Sequence, residues 1–146
     1  MKVRRATLED LEPIANLFDQ YRMFYKQTGN LIAAKDFLKE RLTKGDSVIL
    51  LAELGSQYVG FTQLYPSFSS VSMKRLWILN DLFVVSTVRK QGVGQLLLEA
   101  AVSFAKEDKA RGLTLTTAVD NFTARRLYES GHWKKEDQFL TYKFIF

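Results

Sequence analysis

The run Arg89-Lys90-Gln91-Gly92-Val93-Gly94 lies between an apolar stretch, Leu76–Val85, and a helix-patterned one that reaches Ala110. A helix start carries backbone N–H groups without intrahelical partners and the positive end of the helix dipole, so it attracts phosphate. Gly92 and Gly94 have no Cβ, which lets those N–H groups come close to a diphosphate. Arg89 and Lys90 add positive charge. The same residues read equally well as a glycine-containing strand–helix turn with solvated basic side chains. The spacing of a Walker loop is absent, and the third glycine of a dinucleotide fingerprint is missing.

A second group lies downstream. Asn121 and Tyr128 are seven residues apart, two helical turns, and so share a helix face. A tyrosine hydroxyl beside a thioester cofactor is a proton source for a leaving thiolate. Taken alone, a tyrosine such as Tyr128 is more often a buried or half-buried aromatic. The chain has no cysteine, which excludes a thiol nucleophile, a Cys-ligated metal and a disulfide scaffold. With one histidine, His132, neither a His-based metal site nor a Ser-His-Asp triad is expected, and His132 reads as structural. No metal is expected. Chemistry falls to carboxylates, tyrosines, hydroxyls, backbone amides or a bound cofactor.

The elements that must position these groups follow from the apolar pattern. The length, 146 residues, is one ordinary domain, 1–146. Hydrophobic residues at 47% are enough for a core without staples. Val3–Ala6 is a short strand, and Thr7-Leu-Glu-Asp10 is a capping-box variant opening a helix whose inward face includes Leu11, Ile14, Phe18, Tyr21 and Tyr25. A second helix covers Ala34–Lys44 and stops at Gly45. Ser47–Glu53 and Gln57–Tyr65 form a hairpin, and Pro66–Ser72 is a loop. Lys74–Val85 is a strand with two apolar faces, Trp77/Leu79/Phe83/Val85 and Leu76/Ile78/Leu82/Val84, as expected for a central strand. A helix follows Gly94, then a strand Leu113–Ala118. A helix capped by Asp120 or Asn121 runs to Ser130, and strands follow at Trp133–Lys135 and Gln138–Phe146. The order β-α-α-β-β-β-α-β-α-β-β is α/β.

The net charge of +5 is scattered, and no helix carries a basic stripe interleaved with aromatics, so nucleic acid is not the expected partner. No apolar run reaches the roughly 18 residues of a membrane span, and no signal peptide is apparent, which suggests a cytoplasmic protein without a membrane partner.

Taken together, the two motifs resemble the GNAT family of N-acetyltransferases. The family pattern Arg/Gln-x-x-Gly-x-Gly/Ala, after a strand and opening a helix, is matched by Arg89–Gly94. Its next motif, Asn, then Ala, then Leu-Tyr-Glu, is matched by Asn121, Ala124, Leu127, Tyr128 and Glu129. One departure is Gly131, which stands one position early, with His132 in the usual glycine place. The stretch Tyr65–Asp81 is similar to a branch with histone- and polyamine-acetyltransferase-like bacterial members, often dimers.

The resemblance implies a mixed, mostly antiparallel sheet of six to seven strands with about four helices. It implies acetyl-CoA as co-substrate, with the pantetheine arm on the backbone of Leu82, Phe83 and Val84. The pyrophosphate falls to the backbone of Lys90, Gln91, Gly92, Val93, Gly94 and Gln95, aided by Arg89. Asn121 bonds pantetheine, and Tyr128 protonates the coenzyme A thiolate after direct attack by an amine. The frequent family carboxylates are replaced by Asn80 and Thr116, which leaves Asp81, the only acid of Lys74–Val85, as the candidate base, directly or through water. Alternatively, Asp81 holds loop backbone or an arginine, and water carries the proton away. Tyr21, Tyr25 and Asn80 are candidates to line the acceptor site. The acceptor is a small-molecule or peptide amine, and a homodimer is expected. A non-catalytic acyl-CoA-binding or regulatory module is the alternative.

Overall fold

The computed structural model describes every residue, Met1–Phe146. The chain forms two compact units, Met1–Thr116 and Thr117–Phe146. The first contains β1 (Lys2–Arg5), α1 (Leu11–Phe24), α2 (Leu31–Lys44), β2 (Val48–Leu54), β3 (Gln57–Ser69), β4 (Lys74–Val84), α3 (Val93–Glu107) and β5 (Gly112–Thr114), with single 3-10 turns before α1 and α3. The second contains α4 (Phe122–Ser130). No helix is long and apolar enough to cross a membrane.

The sheet order is β1-β2-β3-β4-β5. The first three pairings are antiparallel and the last is parallel. The α/β class and the four helices agree with the sequence reading, but the sheet has five strands instead of six to seven. Trp133–Lys135 and Gln138–Phe146, read as strands, the second from its alternation, have no regular secondary structure. Alternation says which way side chains would point; a strand also needs a partner ladder for its backbone groups. The opposite error occurs at Pro66, read as loop. There β3 runs on to Ser69, because Tyr65–Ser69 finds its ladder on Lys74–Ile78.

Local chemistry sets the helix ends. Thr7 and Asp10 make the reciprocal capping box: the Glu9 N–H donates to Thr7 Oγ1 at 3.3 Å, and the Thr7 N–H donates to Asp10 Oδ2 at 2.8 Å. Asp10 is also gripped by both ends of the Arg4 guanidinium, at 2.8 and 2.9 Å, which holds its carboxyl below the usual carboxylate range. Arg4 reaches Glu53 as well, at 3.0 Å, so one side chain ties β1 to β2 and to the start of α1.

The sheet is covered on both faces. Ile14, Phe18 and Leu38 from α1 and α2 pack on Ile49, Leu51, Phe61 and Phe83. On the other face α3 buries Val93, Leu97, Leu98 and Ala101. Gly60 is where β3 passes beneath α3. A Cβ there would stand 2.7 Å from the Phe83 carbonyl oxygen and 3.3 Å from Leu97 Cδ1. The backbone contact cannot yield cheaply, so Gly60→Ala is expected to cost about 2 kcal/mol, in the range of core overpacking. Thermal denaturation checks this; an unchanged melting temperature would show that β3 and β4 part freely at this point.

Candidate active site

A break of register in β4 decides where the candidate acid faces. Gln63 pairs with Asp81, but Leu64 pairs with Leu79, so Asn80 is an extra residue, a β-bulge. Side chains alternate along a strand, and one inserted residue reverses the phase beyond it. Trp77 accordingly packs on Phe104 of α3, whereas Phe83 meets Tyr21 of α1. Each apolar face drawn for this strand from the sequence is therefore split at Asn80. Without the bulge, Asp81 would share the face of Trp77. With it, Asp81 turns toward α1, level with Gln63.

Asp81 is buried, at 5% exposure. Its carboxylate accepts from Gln63 Nε2 at 2.7 Å and from Asn80 Nδ2 at 3.1 Å, and the Tyr21 hydroxyl also donates to it. Burial pushes its carboxyl above the ordinary aspartate range, and the three hydrogen bonds pull the other way. The groups acting on it are neutral, so no arginine or lysine accounts for its place here. The Thr62 hydroxyl donates to the Asp81 carbonyl oxygen at 2.8 Å, which holds the bulge itself.

Tyr21 is half-buried in an aromatic cluster with Phe18, Tyr25, Phe61 and Phe83. Tyr25 is exposed, and Asn80 is exposed beside Asp81. All three acceptor-side candidates thus belong to one neighbourhood around a single carboxylate. On the same side of β3, Phe37, Arg41, Asp46, Tyr65 and Pro66 line a cleft of about 380 Å³. Burial, with the Asp81 charge second, pushes the Tyr65 hydroxyl up to about 12, so it remains a proton donor at neutral pH.

The basic turn has the form its glycines suggested. Lys90 and Gly92 both adopt left-handed backbone, φ 65° and 83°. Alternate left-handed residues gather successive N–H groups on a concave side. Gly92 is the N-cap of α3; its carbonyl accepts from the Leu96 N–H at 3.1 Å, and no side chain caps this helix. The N–H groups of Val93, Gly94 and Gln95 are the orphan donors of its first turn. Arg89 is anchored rather than loose: its Nε donates to the Val84 carbonyl at 3.0 Å, and its guanidinium lies 5.5 Å from the Phe24 ring centre and 5.9 Å from that of Phe83.

The strand that leads into this turn has an open edge. β5 pairs with β4 only over Leu76–Ile78. From Leu79 to Val84, β4 is bonded to β3 alone within this sheet. Leu82, Phe83 and Val84 therefore lie on an edge of β4 that no other strand of this sheet pairs with.

In the second unit, Asn121 is the N-cap of α4 and accepts from the Ala124 N–H at 3.3 Å. Its side-chain oxygen is thus committed to the helix, so its amide N–H₂ is what it offers a ligand. Tyr128 lies on α4, half-buried, with its ring centre 6.2 Å from that of Trp133. The left-handed residue after α4 is His132, φ 69°, and not Gly131, φ −87°. The shifted glycine leaves histidine in the strained position.

Sequence reading missed Gln63, Ser47 and Thr62. All three are buried. The signal was present, since Thr62-Gln63 interrupts an apolar run destined for the core, and a polar group buried there needs a partner.

Comparison with known proteins adds the following. The model of the Acetyltransferase (GNAT) family matches residues 11–132. An uncharacterized N-acetyltransferase, YhfO, of Bacillus subtilis is 50% identical over 97% of this chain and 95% of its own. A probable acetyltransferase of Haemophilus influenzae is 27% identical over 84% of this chain and 85% of its own. A solved structure described as a probable acetyltransferase superposes with a TM-score of 0.95 at 40% identity, over 100% of this chain and 98% of that one.

Proposed function

The chain belongs to the GNAT acetyltransferase family and is an acetyltransferase, and from that premise we propose that it moves an acetyl group from acetyl-CoA to a primary amine of a small molecule, amino acid or peptide. The observation that carries the reading is the open edge of β4, which leads within nine residues into the uncapped start of α3. An extended arm fits the edge, and a diphosphate fits the turn. Leu82, Phe83 and Val84 would bond pantetheine; the backbone from Lys90 to Gln95, with Arg89, would hold the pyrophosphate. Asn121 would add its amide to the pantetheine arm.

In the reaction the amine nitrogen attacks the thioester carbon, and the C–N bond forms as the C–S bond breaks. The departing thiolate takes a proton from Tyr128, and the amine gives one up to Asp81, directly or through water. Holding both reactants together supplies much of the rate gain. The acceptor lies by Tyr21, Tyr25 and Asn80 in this reading, the groups gathered about Asp81.

The test is release of coenzyme A thiol from acetyl-CoA across a panel of amines. Thiol release that depends on the amine supports the proposal; none across the panel, with tight coenzyme A binding, favours a non-catalytic module. Asp81→Asn is expected to lower kcat by about 10², the low end for a positioned acid–base group. The sign of the pH effect follows from the raised carboxyl. The base works only when ionised, so kcat/KM falls as pH drops through a value above the ordinary aspartate range. A pH–rate profile identical in Asp81→Asn and wild type would remove Asp81 from the mechanism.

A further inference from the structure

Asp81 ends a buried chain of hydrogen bonds that the reaction as described does not use. Ser47 Oγ donates to Gln63 Oε1 at 2.9 Å, and Gln63 Nε2 donates to Asp81 Oδ2 at 2.7 Å. Ser47, Gln63 and Asp81 are 4%, 0% and 5% exposed, so water does not compete for these bonds. A glutamine amide has two unlike ends of nearly the same shape. If the amide were reversed, its oxygen would face the carboxylate and its N–H₂ would face the Ser47 hydroxyl. The carboxylate, which only accepts, selects the orientation that aims N–H₂ at it, and the Ser47 hydroxyl then gives the buried Oε1 its donor and holds the far end of the amide.

We propose that Gln63 and Ser47 are positioning residues for the acceptor-side base: Ser47 anchors the far end of the Gln63 amide, and the amide keeps the carboxylate aimed and ionised. The inference rests on the reading of Asp81 as that base. It assigns a task to two residues that touch neither the cofactor edge nor the basic turn. The other groups facing the carboxylate are Asn80 on its own strand and Tyr21 on α1. Tyr65 on β3 feels the Asp81 charge, and Arg41 and Asp46 act in turn on Tyr65. Gln63 donates to the carboxylate at 2.7 Å, against 3.1 Å for Asn80. Its amide is also held at the far end by a third residue, Ser47.

The experiment is the pH dependence of kcat/KM, with acetyl-CoA and an accepted amine, for five variants beside wild type. Gln63→Met fills the space of the amide without its donor, so the carboxylate loses a bond to its charged form and holds its proton to higher pH. The acid limb is expected to move up by about one pH unit, with the plateau above it largely recovered. Gln63→Glu places a second carboxyl beside Asp81 and is expected to move the limb further. Ser47→Ala leaves Oε1 without its donor and loosens the amide's hold on the carboxylate, and is expected to move the limb in the same direction by less. Ser47→Thr keeps the hydroxyl and is expected to leave the limb where wild type has it.

A structural role alone would lower the plateau or the melting temperature in all four without moving the limb, and that result overturns the inference. Asp81→Asn separates the two levels. If it abolishes the limb while Gln63→Met and Ser47→Ala leave the limb in place, the base reading stands and the positioning role is wrong. If Asp81→Asn leaves the limb intact, both fall.

Discussion

Tyr128→Phe lowers turnover by roughly 10³, within the 10²–10⁴ expected for a positioned proton donor, and leaves the affinity for acetyl-CoA nearly unchanged. The substitution removes one oxygen and keeps the ring. The ring keeps its contact with Trp133, and circular dichroism establishes that the variant is folded. What it lacks is a proton for the thiolate at the moment the C–S bond breaks. The size of the loss should therefore depend on the leaving group. A donor thioester built on a more acidic thiol needs less help, and with it the gap between variant and wild type narrows. Steady-state kinetics with both donors makes the measurement. Equal turnover in variant and wild type would take Tyr128 out of the mechanism; an equal loss with both donors would show that its part is not protonation.

Filling the concave side of the basic turn weakens coenzyme A binding by roughly 10²-fold, about 2.7 kcal/mol, the scale of one or two charge-assisted hydrogen bonds. Gly92 and Gly94 are the places to do it, but they differ. At Gly92 a Cβ would meet nothing within 4 Å, yet φ is 83°, so valine there is strained by its own backbone. Gly92→Asn is the better variant, since asparagine tolerates left-handed backbone and still adds a side chain. Gly94 lies in the first turn of α3, where valine has a higher helix propensity than glycine. Calorimetric titration of coenzyme A into Gly92→Asn and Gly94→Val reads the effect, with circular dichroism to establish that both are folded. Full affinity in both folded variants would rule out this turn as the pyrophosphate site.

Much of this was legible in the residues. The strand–turn–helix course through Arg89–Gly94 could be read because glycine punctuates it, and Gly92 takes left-handed backbone at the start of α3. The capping box at Thr7 and Asp10 and the stop at Gly45 were equally local, and both formed. The cap at Asn121 resolved an ambiguity that spacing had left open. What could not be read was whatever depended on a partner in space. The bulge at Asn80 has no glycine or proline to mark it; it exists because β3 and β4 disagree by one residue over their length. Nor could Gln63 and Ser47 be matched to Asp81, because the three are 16 and 18 residues apart along the chain and meet only when the hairpins close. The same gap explains residues 134–146: alternation is a property of the segment, whereas strand pairing is a property of two segments.

The bulge makes the register of β4 a constraint in its own right. Substitutions along this strand change one side chain at a time, whereas a slip that drew Asn80 into the ladder opposite Gln63 would change four. Asp81 would swing onto the face that α3 covers with Val93, Leu97 and Leu98, an ionised carboxylate among aliphatic groups. Asn80 would take its place by Gln63. The edge would still carry the same residues, Leu82, Phe83 and Val84, with their donors and acceptors exchanged in phase. A strand of this kind tolerates drift in its letters far better than drift in its register. A one-residue slip at this point would uncouple the acceptor side from the cofactor side while leaving every motif in the sequence intact.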